Sequence, residues 1–182
     1  MQKPQLAEFI RRMSPDSVAI IPSAKEATRS NDTHFRYRQN SDLFYLTGFE
    51  EPDSVAVISN IKDRPQYTLY VRPRDPEREI WDGRRFGTEG ATSTFGASEA
   101  YPIRDLNEKL GEILGGATHL FYRLPSDNRN LDEAVLNQIG RLREGSRRGV
   151  AAPESIIDPA GIIHELRLIK NEDEIETMKR AA

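Results

Sequence analysis

Three short runs rich in aromatic and β-branched residues, 43–47, 54–59 and 67–71, follow one another with turn chemistry between them. The first stops at Gly48, and an acidic, proline-containing turn through Glu50, Pro52 and Asp53 leads to the second at Val55. Runs of this length and composition, so punctuated, predict neighbouring strands with hairpin connections. A sheet must therefore sit near the middle of the chain.

Helical patterns surround it. Leu6, Phe9, Ile10 and Met13 recur at helical spacing and stop at Ser14-Pro15, and residues 18–22 then read as a short buried strand. Residues 23–39 are polar and long for a connection without structure, which marks them as functional or disordered. Residues 72–79 are charged and hold Pro73 and Pro76, so an exposed loop is expected there, running on through Ile80, Trp81 and Gly83 to Arg85. Leu106, Leu110, Ile113 and Leu114 define a helix closed by Gly115-Gly116, and 119–124 read as another strand. Leu131, Val135, Ile139 and Leu142 give a further helix ending at Gly145, and 159–167 another. Asn171 and Glu174 form a capping box for a last helix, whose Ile175 and Met178 share a face with nothing after it to cover them. Helices separating strands, with hairpins in the middle, predict an α/β fold with a mixed β-sheet flanked by helices. At 182 residues and 37% hydrophobic content, the chain can bury one substantial core.

Composition narrows the function. A net charge of -3 and a pI near 5.7 argue against a nucleic-acid partner. The absence of cysteine excludes disulfides and thiol catalysis and fits a reducing cytoplasm. No segment has signal-peptide character or the ~18 apolar residues of a membrane span, so a soluble, cytoplasmic chain without a membrane partner is expected.

No self-sufficient catalytic constellation is visible. The three histidines, His34, His119 and His164, form no pair at helical metal-binding spacing, and a structural or surface role suits each of them. Adjacent carboxylates such as Glu50-Glu51 and Asp173-Glu174 project in different directions and suit turns and caps. Of the 26 basic residues only six are lysine, leaving twenty arginines. Arg143, Arg147 and Arg148 flank a helix end, where cations complement the dipole, yet arginine can also grip a carboxylate through two parallel hydrogen bonds. Trp81, the sole tryptophan, fits either a core anchor or an interface, and the residues alone leave that choice open.

Several ordered marks together resemble the N-terminal domain of the aminopeptidase P family, within the creatinase and prolidase superfamily. They are Ile20-Ile21-Pro22, Thr28-Arg29-Ser30-Asn31-Asp32, Tyr37-Arg38-Gln39-Asn40-Ser41-Asp42, Tyr45-Leu46-Thr47-Gly48-Phe49, Glu79-Ile80-Trp81-Asp82-Gly83-Arg84-Arg85, Gly145-Ser146-Arg147 and His164-Glu165-Leu166-Arg167-Leu168-Ile169-Lys170. The resemblance implies a mixed sheet of ribonuclease H-like motif over residues 1–168. Residues 169–182 would be the linker and the first helix of a pita-bread catalytic domain.

That second domain would carry two metal ions, usually manganese, and cleave the bond before proline in Xaa-Pro peptides. This chain would contribute no catalytic residue and no metal ligand, and alone would be inactive. By the same resemblance Trp81 matches a tryptophan that reaches a neighbouring subunit's site, while Asp32 and Arg147 match polar residues near the substrate. The expected partners are its own C-terminal catalytic domain, further copies in a tetramer or dimer, and the peptide substrate. Prolidases, creatinases and non-enzymatic peptide-binding modules carry related domains and remain the alternatives.

Overall fold

The computed structural model describes residues 3–145 and 150–182. Strands β1 (Ser17–Pro22), β4 (Val55–Ser59), β5 (Tyr67–Val71), β6 (Glu99–Pro102), β7 (His119–Phe121) and β8 (Ser155–Ile157) form one sheet in the order β6-β5-β4-β1-β7-β8. β2 (Thr28–Ser30) and β3 (Thr33–His34) make a separate antiparallel hairpin inside the polar stretch after β1. In the large sheet β4 runs antiparallel to β1 and to β5, while the remaining pairs are parallel. β4 is thus the single reversed strand, and β5-β4-β1-β7-β8 has the strand order and directions of the ribonuclease H-like motif, with β6 added at one edge.

The central strands are buried on both sides, so they carry no polar face, yet the two-residue period still sorts them. Ala19, Ile21, Ala56, Ile58, Leu69 and Val71 project into one core. There they meet helices α1 (Pro4–Arg12), α2 (Ser41–Thr47), α4 (Gly87–Ser93) and α7 (Ala160–Leu168) through Leu6, Phe9, Leu43, Leu46, Ala91 and Ile163. Val18, Ile20, Val55, Val57, Tyr70 and Leu120 project the opposite way, against α5 (Leu106–Leu114) and α6 (Arg129–Glu144). The result is three layers with a core on each side of the sheet. Leu46 and Leu110 are completely or almost completely buried, and truncating either to alanine would cost about 2–5 kcal/mol.

Two expectations are corrected. Residues 43–47 form the helix α2 where the aromatic content predicts a strand. The Asn40 side chain accepts from the backbone N–H groups of Asp42 and Leu43, and Gly48 closes the helix in the left-handed region at φ 74°. The buried residues Leu43, Leu46 and Thr47 are spaced for one helical face, and the Thr47 hydroxyl donates back to the Leu43 carbonyl at 2.7 Å. The expected loop at 72–85 also contains a helix, α3 (Pro76–Asp82), started by Asp75 as N-cap and Pro76 in the first turn. The elements α4, β6 and β8 were not anticipated by any sequence pattern. The capping box of the last helix, α8 (Glu172–Ala181), is present as expected.

Strand direction gives the sheet a working end. Pro22, the last residue of β1, pairs with Val55, the first of β4, and Val55 in turn pairs with Tyr70 near the end of β5. The β2–β3 hairpin, the turn before β4 and the segment leading to α3 therefore all leave from the same end. The carboxyl ends of β6, β7 and β8 lie there too, by their parallel pairing.

Candidate functional site

In α/β sheets ligands are met at the carboxyl ends of the strands, and here that end carries two projecting arms. One is α3. The Asp75 carboxylate accepts from the Arg78 backbone N–H, and the Arg74 guanidinium grips Glu79 through two bonds of 2.6 and 2.8 Å. The Asp75 N–H adds a third bond to Glu79 at 3.2 Å. These hydrogen bonds, from Arg74 first of all, hold the Glu79 carboxyl below its usual range. Beyond the helix, Gly83 sits at φ 83°, a backbone that L residues rarely adopt, and the chain dives back to buried Arg85 and to Phe86. Phe86 packs edge-on against Phe95, with ring centroids 4.8 Å apart. A helix clamped at both ends thus presents Ile80 and Trp81 outward, at 77% and 87% exposure. Trp81 is no core anchor.

The other arm is the β2–β3 hairpin. Its turn residues are Asn31, at φ 48°, and Asp32, whose side chain is exposed. The base of the hairpin is tied by Gln39, only 9% exposed. Its Oε1 accepts from the Ala24 N–H, the Asn40 N–H and the Tyr37 hydroxyl at 3.0, 2.8 and 2.7 Å. Its Nε2 donates to the Glu51 carbonyl at 2.9 Å. Burial, before any charge nearby, pushes the Tyr37 hydroxyl up to about 12, so it stays a donor across the physiological range. The Glu51 carboxylate in turn accepts the Phe86 N–H at 2.8 Å. Gln39 and Glu51 therefore join the root of one arm to the root of the other.

Trp81 and Asp32 accordingly share an end of the sheet and a common support. Arg147 lies outside the described residues. Nothing in the sequence marks Gln39 and Glu51 as organising groups. A glutamine flanked by polar residues gave no sign of burial.

A second opening, a groove of about 1030 Å³, runs between α8 and the body of the domain. Lys3, Arg38, Tyr45, Glu50, Arg167 and Asp173 are among its walls. The Tyr45 hydroxyl donates to the Leu166 carbonyl at 2.9 Å and Arg167 meets Asp42 at 3.2 Å, which fastens α7 to α2 beside it. α8 itself leaves Met178 and Ile175 exposed.

The donor set does not fit a two-metal centre. Among the described residues no group of three or more histidine or carboxylate side chains could hold a metal ion. His119 Nδ1 is engaged with the Ser155 hydroxyl at 2.8 Å between β7 and β8, and His34 and His164 are exposed on separate elements. No catalytic step can be drawn through metal ions on these side chains.

Comparison with known proteins places this geometry. The model of the family "Aminopeptidase P, N-terminal domain" matches residues 4–122. The Xaa-Pro aminopeptidase of Escherichia coli strain K12 is 38% identical over 95% of this chain, and human Xaa-Pro aminopeptidase 3 is 30% identical over 91%. The chain spans 39% and 32% of the length of those two relatives. Among solved structures, the aminopeptidase PepP of Pseudomonas aeruginosa superposes with a TM-score of 0.89 at 35% identity, over 96% of this chain and 39% of that one. Aminopeptidase P of E. coli with the inhibitor Pro-Leu superposes with a TM-score of 0.88 at 36% identity, over 97% of this chain and 40% of that one. A family model matched over most of the chain, a shared fold and the ordered sequence marks agree: the chain belongs to the aminopeptidase P family, of which it represents the N-terminal domain.

Proposed function

We propose that this domain shapes the substrate site of a cytoplasmic, manganese-dependent Xaa-Pro aminopeptidase and supplies contacts between its subunits, without catalysing hydrolysis. Residues 1–168 form the domain, and residues 169–182 begin the catalytic domain. That domain brings the two metal ions, whose chemistry is activation of a water for attack on the bond before proline. The groove beside α8 and the exposed Ile175 and Met178 support its docking there. Trp81 serves as a rigid wall at the site of a neighbouring subunit in a tetramer or dimer, and Asp32 and Arg147 have the role, implied by the family resemblance, of polar residues near the substrate.

The observation that carries this reading is the clamped helix that holds Trp81 at 87% exposure. An exposed tryptophan on a mobile loop would suit solvent, whereas one on a helix fixed at both ends is preorganised for contact. The test is Trp81→Ala in the full-length enzyme that contains this domain. Expected is a loss of at least about tenfold in kcat/KM on an Xaa-Pro peptide, with unchanged thermal stability. Unchanged kinetics would remove the tryptophan from the site. The 182-residue chain alone, supplied with manganese, is expected to show no turnover, and activity that survives repurification would overturn the division of labour.

A further inference from the structure

The excursion that carries Trp81 leaves the body after β5 and returns into α4, so residues 72–75 and 83–87 are its two stems. The stems hold each other. Arg85, only 7% exposed, donates from its guanidinium to the Pro73 carbonyl at 3.5 Å. Gly87, at φ 62°, has no room for a Cβ, which would come 2.8 Å from the Arg74 Cγ, so the Arg74 side chain lies directly on the returning backbone. Arg74 also grips Glu79, whose carboxyl is held below its usual range by that guanidinium first of all and, among others, by the Arg85 backbone N–H. The arm is therefore one stiff piece, and its aim depends on how the piece is fastened to the body.

Part of that fastening is apolar. The buried Phe49 ring lies 6.3 Å from Phe86 and 4.9 Å from Phe95, centroid to centroid. Apolar contact resists separation but has little directionality. Direction comes from Glu51, two residues further on, whose Oε1 accepts the Phe86 N–H at 2.8 Å while its main-chain carbonyl accepts from Gln39 Nε2 at 2.9 Å.

Glu51 is an unusual residue for this place. Its Oε2 is buried and makes no hydrogen bond to any described residue. A carboxylate oxygen buried without a partner works against stability, so the fold as such gains little from a glutamate here. What the side chain does supply is an acceptor long enough to reach from the turn before β4 to the returning stem.

We propose that Glu51 is a positioning residue for the reaction: by holding the Phe86 N–H it sets the direction in which α3 presents Trp81, and through Gln39 it fixes that direction relative to the hairpin that carries Asp32. The proposal rests on the reading of Trp81 as a wall of the substrate site. Glu51 acts through α3, and its task needs an acceptor and not a charge.

Two measurements test this. Glu51→Met keeps the length of the side chain and removes both acceptors, whereas Glu51→Gln keeps one. In this chain, where Trp81 is the sole tryptophan, Glu51→Met is expected to lower the fluorescence anisotropy of Trp81, and Glu51→Gln to leave it at the parent value. In the full-length enzyme that contains this domain, Glu51→Met is expected to lower kcat/KM on an Xaa-Pro peptide at least about fivefold, because small misplacements of a positioned group are costly. Glu51→Gln should restore it to within about twofold of the parent, and Glu51→Met should add less than about twofold to the loss already caused by Trp81→Ala. A merely structural role would act with equal force whether or not Trp81 is present. Unchanged anisotropy in Glu51→Met, no rescue by Glu51→Gln, or a full additional loss on top of Trp81→Ala would each overturn the proposal. Should Trp81→Ala itself leave the kinetics unchanged, the role given to the tryptophan falls and Glu51 is judged by the anisotropy alone. Should Trp81→Ala reduce activity while Glu51→Met does not, it is the role given to Glu51 that falls.

Discussion

The Gln39 side chain donates to the Glu51 carbonyl at 2.9 Å while its carbonyl oxygen gathers three donors, so one buried amide in the stretch 37–40 ties it to the loops at Ala24 and at Glu51. Through the Glu51 carboxylate the same support reaches the Phe86 N–H. Replacing Gln39 by leucine keeps the bulk but leaves the Ala24 and Asn40 N–H groups, the Tyr37 hydroxyl and the Glu51 carbonyl without this partner. We expect a loss of about 2–4 kcal/mol in urea denaturation, together with faster amide exchange at Ala24 and Asn40. A loss below about 0.5 kcal/mol would show that water replaces the amide at little cost.

Trp81 gives the opposite result. Because the side chain is 87% exposed, Trp81→Ala is expected to change stability by less than about 0.5 kcal/mol, against about 3–5 kcal/mol for a buried tryptophan. As the sole tryptophan, it also reports on itself. Its emission in the isolated chain should be red-shifted and readily quenched by acrylamide. A blue-shifted, protected spectrum would mean that the side chain is covered in solution.

What the sequence revealed, and what it concealed, follows from how each signal is built. The buried strands were legible because residues 54–59 and 67–71 combine branched side chains with turn-forming borders. Helix α2 reads as a strand because Phe44, Tyr45 and Thr47 have strand character, while its ends are written plainly in Asn40 and Gly48. Cap chemistry outweighs side-chain preference over seven residues, since packing of Leu43 and Leu46 then settles the conformation. In α3 the same signals, Asp75 and Pro76, were present but hidden among charges. β6 and β8 are short edge strands whose pairing depends on distant partners, and no local pattern announces that. Of the candidate site, Trp81 and Asp32 are singled out by the family resemblance, and the support they share has no mark in the sequence. It rests on a glutamine and a glutamate whose burial only the fold defines.

Acid should loosen α3 before it unfolds the domain. Glu79 has its folded pKa depressed below 4.5 by the Arg74 guanidinium, so its contribution is complete above that unfolded value and is lost as pH falls through the lower folded one. The expected readout is a fall in Trp81 fluorescence anisotropy on acidification below about pH 4 while far-ultraviolet circular dichroism is retained. In Glu79→Gln the anisotropy should already be low at neutral pH and should not change over this range. An identical profile in both proteins would show that the Arg74 clamp does not hold the helix.

Asp132 is the second buried polar junction, 7% exposed near the start of α6. Its carboxylate accepts from the Tyr122 hydroxyl at 2.5 Å, the Ser126 hydroxyl at 2.6 Å and the Ser126 N–H at 3.0 Å. Burial alone would raise its pKa, but these hydrogen bonds outweigh it and the net shift is downward. Asp132→Ala orphans three donors and is expected to cost about 2–4 kcal/mol, while Tyr122→Phe, which removes one donor and leaves the carboxylate two, should cost about 1–2 kcal/mol. Chemical denaturation of both variants would check the ranking, and a reversed order would show that the tyrosine rather than the carboxylate anchors this loop.

The strand directions also decide where the molecule can be handled. With the hairpin, α3 and the turn before β4 all leaving one end of the sheet, the link from β4 to β5 must turn at the other, and there Lys62 and Asp63 lie exposed. A dye, a surface tether or an inserted peptide attached at that turn would face away from both arms. The chain thus has a built-in handle, and a single-molecule or surface-capture experiment could hold it at Lys62 with its projecting residues free.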